Sequence, residues 1–481
     1  MLMLVLFCCY LCVLVILAWL GHRRAGSKTP HDFYLAGGKL GFLVLICTLF
    51  ATQYSGNTFM GFPGKAYRMG YAYMMSVMFM MCIVAFYLLY APALRARSAV
   101  RGYVTPCDWI HDRYRHRGLT SVCAVLMCIA MLNYLLAQLL AMGNAVEGLT
   151  GRPGSFAVGV LFLSVVIVLY ETVGGMRAVA WTDTLQGIMM FVAVLILGGY
   201  LLTRHEDLAL LPARIMELAP AKVRPPDGKT CIGWLSFLCI AGLGGAMYPQ
   251  GIQRIYAAKS VRVLKGSLCV MVLLPLLTVF FAYFIGIMAI EQFPGLAKGD
   301  SDQVMTRMLD LISAQGPILY IGVTLLLLGA LAAMMSTADS VLLSLSSIVI
   351  QDICVKTVGY SASDEKLLKL GKMSSWVLMG IMVVIALQLQ DTTLFRLLVI
   401  KFELLVQVAP AFILGFYLPR LGAGTALVGI AAGCSVALIG FAMHEKWWGI
   451  HPGTIGVAVN LLICLVGSVV FPSEICDRED R

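Results

Sequence analysis

The chain has 481 residues, 60% hydrophobic and 12% charged, with 35 Lys+Arg against 25 Asp+Glu and a formal net charge of +10. Soluble domains carry about a quarter charged residues, so a chain this apolar needs lipid as its solvent, and its positive charge reads as the Lys/Arg excess of cytoplasmic loops, not as a nucleic-acid surface. Its 15 cysteines lie mostly in apolar runs (Cys8, Cys9, Cys12, Cys47, Cys82, Cys128), where the thiol behaves as a small hydrophobe, and no paired spacing suggests a disulfide framework or a metal site.

The first apolar run, 2–20, has no basic segment before it and no A-x-A cleavage site, and Arg23 and Arg24 follow it as a stop. It is expected to be a transmembrane helix, not a signal peptide. Further runs follow at 41–66, 71–93, 120–146, 155–170, 183–202, 233–252, 266–290, 317–349, 373–390, 394–417, 423–443 and 453–471. The expectation is an all-α polytopic membrane protein of about 13 transmembrane helices, with residues 1–481 as one membrane domain. The 317–349 run is longer than one crossing needs and should tilt or protrude. With the N-terminus outside, inner segments hold 22 Lys+Arg and outer segments 11. That bias puts the N-terminus outside and the C-terminus in the cytoplasm of a multi-pass protein of the cell (inner or plasma) membrane. Two five-helix repeats of opposite orientation are a known transporter plan, the LeuT type, with solute bound at mid-membrane. An odd count accommodates it as one extra N-terminal helix (2–20), repeats at 41–202 and 233–417, and two C-terminal helices (423–471). Composition does not itself show the repeat.

The second span contains Ala51-Thr52-Gln53-Tyr54-Ser55-Gly56-Asn57-Thr58, then Gly61-Phe62-Pro63-Gly64. So polar a stretch is tolerated in lipid where the backbone unwinds beside a cavity, leaving carbonyls for an ion and side chains for a solute. The plainer alternative is a small-residue packing face, which seldom needs Gln and Asn together. The fifth span ends in Glu171-Thr172-Val173-Gly174-Gly175-Met176-Arg177, and Asp183 opens the next, where capping the helix is its simplest role. In the ninth span Ala333, Ser336, Thr337, Ser340 and Ser344 fall on one helical stripe, with Asp339 beside it. Hydroxyls and one carboxylate suit a hard cation. Serines alone can serve as interhelical glue, but an ionisable residue in mid-span marks function.

Together these segments resemble the sodium:solute symporter family, in particular its pantothenate and proline symporter branch. The resemblance rests on Asp32-Phe33-Tyr34-Leu35-Ala36-Gly37-Gly38, on the run Gly174–Gly187, on Gln253-Arg254 with Ala257-Ala258-Lys259-Ser260, and on Met335-Ser336-Thr337-Ala338-Asp339-Ser340. It implies the inverted-repeat fold and a Na+ site made of the carbonyls of Ala51, Tyr54 and Ala333 and the hydroxyls of Ser336 and Thr337. It also implies a second Na+ or H+ site at Asp183, Ser336, Asp339 and Ser340, where Asp339 stands in place of a usual hydroxyl. Solute is expected beside the unwound stretch, at Gln53, Ser55, Gly56 and Asn57, completed by Tyr134, Tyr248 and Gln250. Tyr134 and Tyr248 read equally well as packing residues. Lys401 and Glu403 depart from the family pattern. Two residues apart, they point to different sides of a helix; Lys401 either faces the cavity, where it would meet a substrate carboxylate, or snorkels outward, the slightly preferred reading because it lies about two turns into its span.

The function expected is Na+-driven symport of a small organic solute, an amino acid or pantothenate-like carboxylate, by alternating access. The partners implied are that solute, Na+ and membrane lipid, with no obligatory protein partner evident. H+ coupling through Asp183 and Asp339 is the alternative, and a transporter-like sensor would need a separate signalling partner. An enzyme finds no support: there is no H-E-x-x-H, P-loop or nucleophile elbow.

Overall fold

The computed structural model describes residues 2–23, 29–53, 55, 57–150, 152, 154–297, 299–390, 394–443 and 447–473. The described residues are predominantly helical. α1 (Leu2–Arg23) leads to a short α2 (Pro30–Leu35), N-capped by Thr29 with Pro30 in its first turn. α3 (Phe42–Gln53) stops at the polar stretch, and after a wide turn (Asn57–Gly61) the chain resumes as α4 (Phe62–Met69). Then come α5 (Ser76–Arg101), α6 (Pro106–Tyr114), α7 (Arg117–Thr150) and α8 (Ser155–Thr203). The next elements are α9 (His205–Leu218), α10 (Gly228–Ala246), α11 (Pro249–Ala257), α12 (Val261–Gln292), α13 (Val304–Ser313) and α14 (Pro317–Ser347). α15 (Asp364–Gln388), α16 (Leu394–Leu405), α17 (Ala409–Tyr417), α18 (Ala423–Ala442) and α19 (Pro452–Val470) complete it.

Among the described residues, 10 helices are long and apolar enough to cross a membrane. The expected runs at 155–170 and 183–202 fall in the two halves of the 49-residue α8, which meet at a sharp break at Gly175 (φ 54°, ψ −159°). Only glycine adopts the break at 175 readily: a Cβ there would stand 2.7 Å from the Phe33 carbonyl oxygen.

α8 and α14 form the centre of the bundle, with α1, α3 and α7 packed on α8. Every residue from Leu326 to Ser347 is buried, so α14 is enclosed by protein on all sides. α15 is different: Met373, Trp376, Val377, Ile381 and Val384 are exposed on one stripe, an apolar face for lipid. Three motif segments far apart in sequence meet at one end of the bundle. Arg177 pairs with Asp32 at 2.8 Å, Leu40 N–H donates to the Ala257 carbonyl at 2.9 Å, Lys259 N–H donates to the Leu40 carbonyl at 2.9 Å, and Arg95 Nε donates to the Ala258 carbonyl at 2.6 Å. These bonds fix the ends of the helices that carry the site.

Candidate functional site

α3 ends where the sequence turns polar, and its last carbonyls face α14. Thr337 Oγ1 donates to the Ala51 carbonyl at 3.3 Å. Ala51, Ala333, Ser336 and Thr337 are all fully buried. The structure therefore brings the α3 terminus and the α14 hydroxyl stripe together at mid-helix. Ser336 is turned the other way, its hydroxyl donating to Asp183. Tyr54 and Gly56 lie outside the described residues, as does the side chain of Asn57.

Asp183 is not a helix cap. It sits inside α8 with no exposed surface, in a network drawn from four helices. One oxygen accepts from Ser336; the other accepts from Thr48 and pairs with Arg254 Nη2 at 3.2 Å. The Arg254 guanidinium also donates to Thr48 Oγ1 (2.9 Å), the Gln250 carbonyl (3.1 Å) and Ser340 Oγ (2.6 Å). Asp339 accepts from Tyr170 and, at 3.1 Å, from Ser340. Asp183, Ser336, Asp339 and Ser340 are thus one hydrogen-bonded cluster. It holds two carboxyl groups and one guanidinium, all completely buried. The sequence reading placed Arg254 only in a motif; it had no signal that Arg254 would reach Asp183, 71 positions away.

The aromatic candidates lie on α7 and at the start of α11. Tyr134 and Tyr248 stack, with ring centroids 5.2 Å apart and planes 16° from parallel. The neighbouring Tyr87 hydroxyl donates to the Gly245 carbonyl at 3.2 Å, and α7 packs against the turn that follows the unwound stretch. Gln53 Oε1 and both amide atoms of Gln250 are buried without a hydrogen-bond partner among the described residues.

Lys401 corrects its expectation. It does not snorkel outward: it is 1% exposed, and its Nζ lies 3.1 Å from the centroid of the Tyr134 ring and 4.9 Å from that of Tyr248. Distance along the span did not decide the matter, because α16 turns this side toward α7 and α10. Glu403 points elsewhere. It accepts from the Gly453 N–H and lies 3.1 Å from His451 Nδ1, joining α16 to the start of α19.

A helix interrupted at a polar stretch, packed on a hydroxyl-lined helix inside a lipid-facing bundle, defines a secondary transporter. The sequence matches the sodium:solute symporter family over residues 33–433, and the chain belongs to that family. It is a sodium-coupled solute symporter, with Na+ as its coupling ion. It is 26% identical to the osmoregulated proline transporter OpuE of Bacillus subtilis (strain 168), over 94% of this chain and 93% of that protein. It is 23% identical to the sodium/pantothenate symporter of Escherichia coli (strain K12), over 93% of this chain and 92% of that protein. Its fold superposes on a Na+-coupled sialic acid symporter, solved substrate-bound and outward-open, with a TM-score of 0.78 at 19% identity, covering 99% of both chains. A nucleobase-cation-symport-1 family transporter, closed with bromovinylhydantoin bound, gives 0.58 at 12% identity, covering 92% of this chain and 94% of that one.

Proposed function

We propose that this symporter drives a small organic solute, an amino acid or a pantothenate-like carboxylate, into the cell with Na+ bound between α3 and α14. The observation that carries the reading is the Thr337 hydroxyl on the Ala51 carbonyl, 3.3 Å apart at the end of a broken helix. Na+ entering there takes the carbonyls of Ala51, Tyr54 and Ala333 and the hydroxyls of Ser336 and Thr337, and Ser336 gives up its bond to Asp183 to do so. Solute sits at Gln53, Ser55, Gly56, Asn57, Tyr134, Tyr248 and Gln250. Bound Na+ pins α3 against α14, orders the unwound backbone and completes the solute site before one bundle rocks against the other.

The chain crosses about 13 times on this reading. The 10 apolar helices are joined by α1, by the broken pair α3–α4, and by a second crossing within α8. Two five-helix repeats, 41–202 and 233–417, then lie between the N-terminal helix and the last two, with the N-terminus outside and the C-terminus in the cytoplasm. An inside-negative potential supplies about 2.3 kcal/mol per charge per 100 mV, and a tenfold Na+ gradient about 1.4 kcal/mol more. One Na+ concentrates a neutral solute by roughly several hundredfold on those terms.

The test needs no known solute. Thermal stability of the purified protein is measured in NaCl, KCl and choline chloride across a concentration series, because a ligand of the folded state stabilises by RT ln(1 + [L]/Kd). A saturable gain specific to Na+ is expected, with Ser336→Ala and Thr337→Ala each raising the half-saturating concentration by about tenfold for one lost ligand. Unchanged Na+ dependence in both variants overturns the site. A second reading, H+ or a second Na+ at Asp183 and Asp339, is favoured by the two carboxylates facing a single guanidinium. Stability that responds to pH and not to Na+ would select the proton.

A further inference from the structure

We infer that Lys401 is the charge-recognising residue of the solute site, and that it selects a solute of net negative charge: a carboxylate with no ammonium beside it. The inference rests on the symporter reading and deepens it.

An ammonium carries three donors and no acceptor. Lys401 is 1% exposed, and its Nζ has no hydrogen-bond partner among the described residues. An isolated buried cation is strongly unfavourable unless something pairs with it. The aromatic faces of Tyr134 and Tyr248 supply part of that, as ring quadrupoles attract a cation held over them. They leave its three N–H bonds unmatched. Glu403, the carboxylate nearest in sequence, is engaged with His451 and the Gly453 N–H. Asp183 and Asp339 are engaged with Arg254, Tyr170 and the α14 serines.

The position of this cation is specific. Tyr134 lies under Lys401 and stacks on Tyr248 at the start of α11, where the Gln250 amide also has no hydrogen-bond partner among the described residues. Gln53 Oε1, at the end of α3, likewise has no partner among the described residues. These three lie on α16, α11 and the end of α3, with α16 and α11 packed against the broken helix, so one ligand there could satisfy groups that natural interiors seldom leave unmatched. The ligand must accept from an ammonium and from an amide N–H, and donate to amide oxygens. A carboxylate with a hydroxyl or amide N–H farther along meets that pattern. A zwitterion fits less well. Its carboxylate gains Lys401, but its ammonium stands beside the Lys401 amine and, among the described residues, meets no carboxylate at the site that is not already engaged.

The experiment uses the full chain, purified, at saturating NaCl. Wild type and Lys401→Met are scanned for thermal stabilisation by propionate, lactate, pyruvate and pantothenate. Propionamide, lactamide and pantothenyl alcohol serve as uncharged counterparts, and alanine and proline as zwitterions. The expected result is stabilisation of wild type by at least one carboxylate but not by its uncharged counterpart, with apparent affinity about tenfold or more weaker in Lys401→Met, the weight of one charge-assisted bond. Lys401→Arg should keep most of that affinity. If a zwitterion or an uncharged compound binds better than every carboxylate, or no carboxylate binds, or Lys401→Met binds the carboxylate as wild type does, the inference is overturned. Stabilisation by Na+ alone, read in the same samples, separates the two levels: its absence defeats the symporter reading, while its presence with any of those outcomes defeats only the role of Lys401. Should Lys401→Met fail to fold, the wild-type ranking of carboxylate against its uncharged counterpart decides.

Discussion

Replacing Arg254 by Met tests the central charge cluster most directly. Its guanidinium makes four polar contacts: to Thr48 at 2.9 Å, the Gln250 carbonyl at 3.1 Å, Asp183 at 3.2 Å and Ser340 at 2.6 Å. Arg254 and Asp183 have no exposed surface. Met keeps the apolar stem but leaves Asp183 and Asp339 as two buried carboxylates with no cation between them. Breaking a buried pair from one side destabilises by about 3–5 kcal/mol, because the remaining charge is uncompensated. Arg254→Met should lose roughly that much in choline chloride. Adding Asp183→Asn removes the orphaned charge and should restore about 2 kcal/mol or more, so the double variant is more stable than the sum of the single losses. NaCl should also stabilise Arg254→Met more than wild type, since a small cation can take the vacated place. The assay is unfolding in detergent by heat or denaturant in the two salts, for all four members of the cycle. Strictly additive losses, with the same Na+ response in every variant, would refute the account of Arg254 as the cation that balances Asp183.

Two further outcomes follow from single positions. Gly175→Ala forces a Cβ against the Phe33 carbonyl at a left-handed φ of 54°. It should destabilise by about 1–3 kcal/mol and loosen the Arg177–Asp32 end of the bundle, read as a lower unfolding temperature and faster proteolysis between α1 and α3. Asp302, in the segment between α12 and α13, has its carboxyl held above the usual range, because burial outweighs the Arg68 guanidinium 3.1 Å away. The folded protein therefore holds this proton more tightly than the unfolded chain does. The group's contribution to stability falls as pH rises from the ordinary carboxylate range through the raised value. Asp302→Asn should remove that slope from unfolding temperatures measured upward from about pH 4; an unchanged slope would show that other groups set it.

Much of the architecture was legible from residue order. Lipid excludes unpaired backbone, so apolar runs must be helices, and their lengths follow from the bilayer. A Gln-, Ser- and Asn-rich stretch inside such a run had to break, and α3 does end at Gln53. The 3- and 4-residue spacing of Ala333, Ser336, Thr337, Ser340 and Ser344 put them on one side of α14 before any partner was known. What the sequence could not say was what each side faces. In water, apolar periodicity marks the inward face; in lipid both faces are apolar, and the pattern loses its direction. Lys401 was therefore read as reaching outward, whereas packing of α16 on α7 and α10 turns it onto Tyr134. Position alone gave Asp183 the role of a cap and the resemblance implied an ion site; the helix break falls at Gly175, well before Asp183, which leaves Asp183 inside the helix with partners from three others. Its partner Arg254, like the His451 that meets Glu403, comes from another helix far along the chain. The sequence by itself determined that this protein is a helical membrane bundle with one broken span and one hydroxyl-lined span. Only the tertiary structure decided which charges meet, because that depends on how each helix is rotated about its axis, and rotation is set by neighbours rather than by the helix itself.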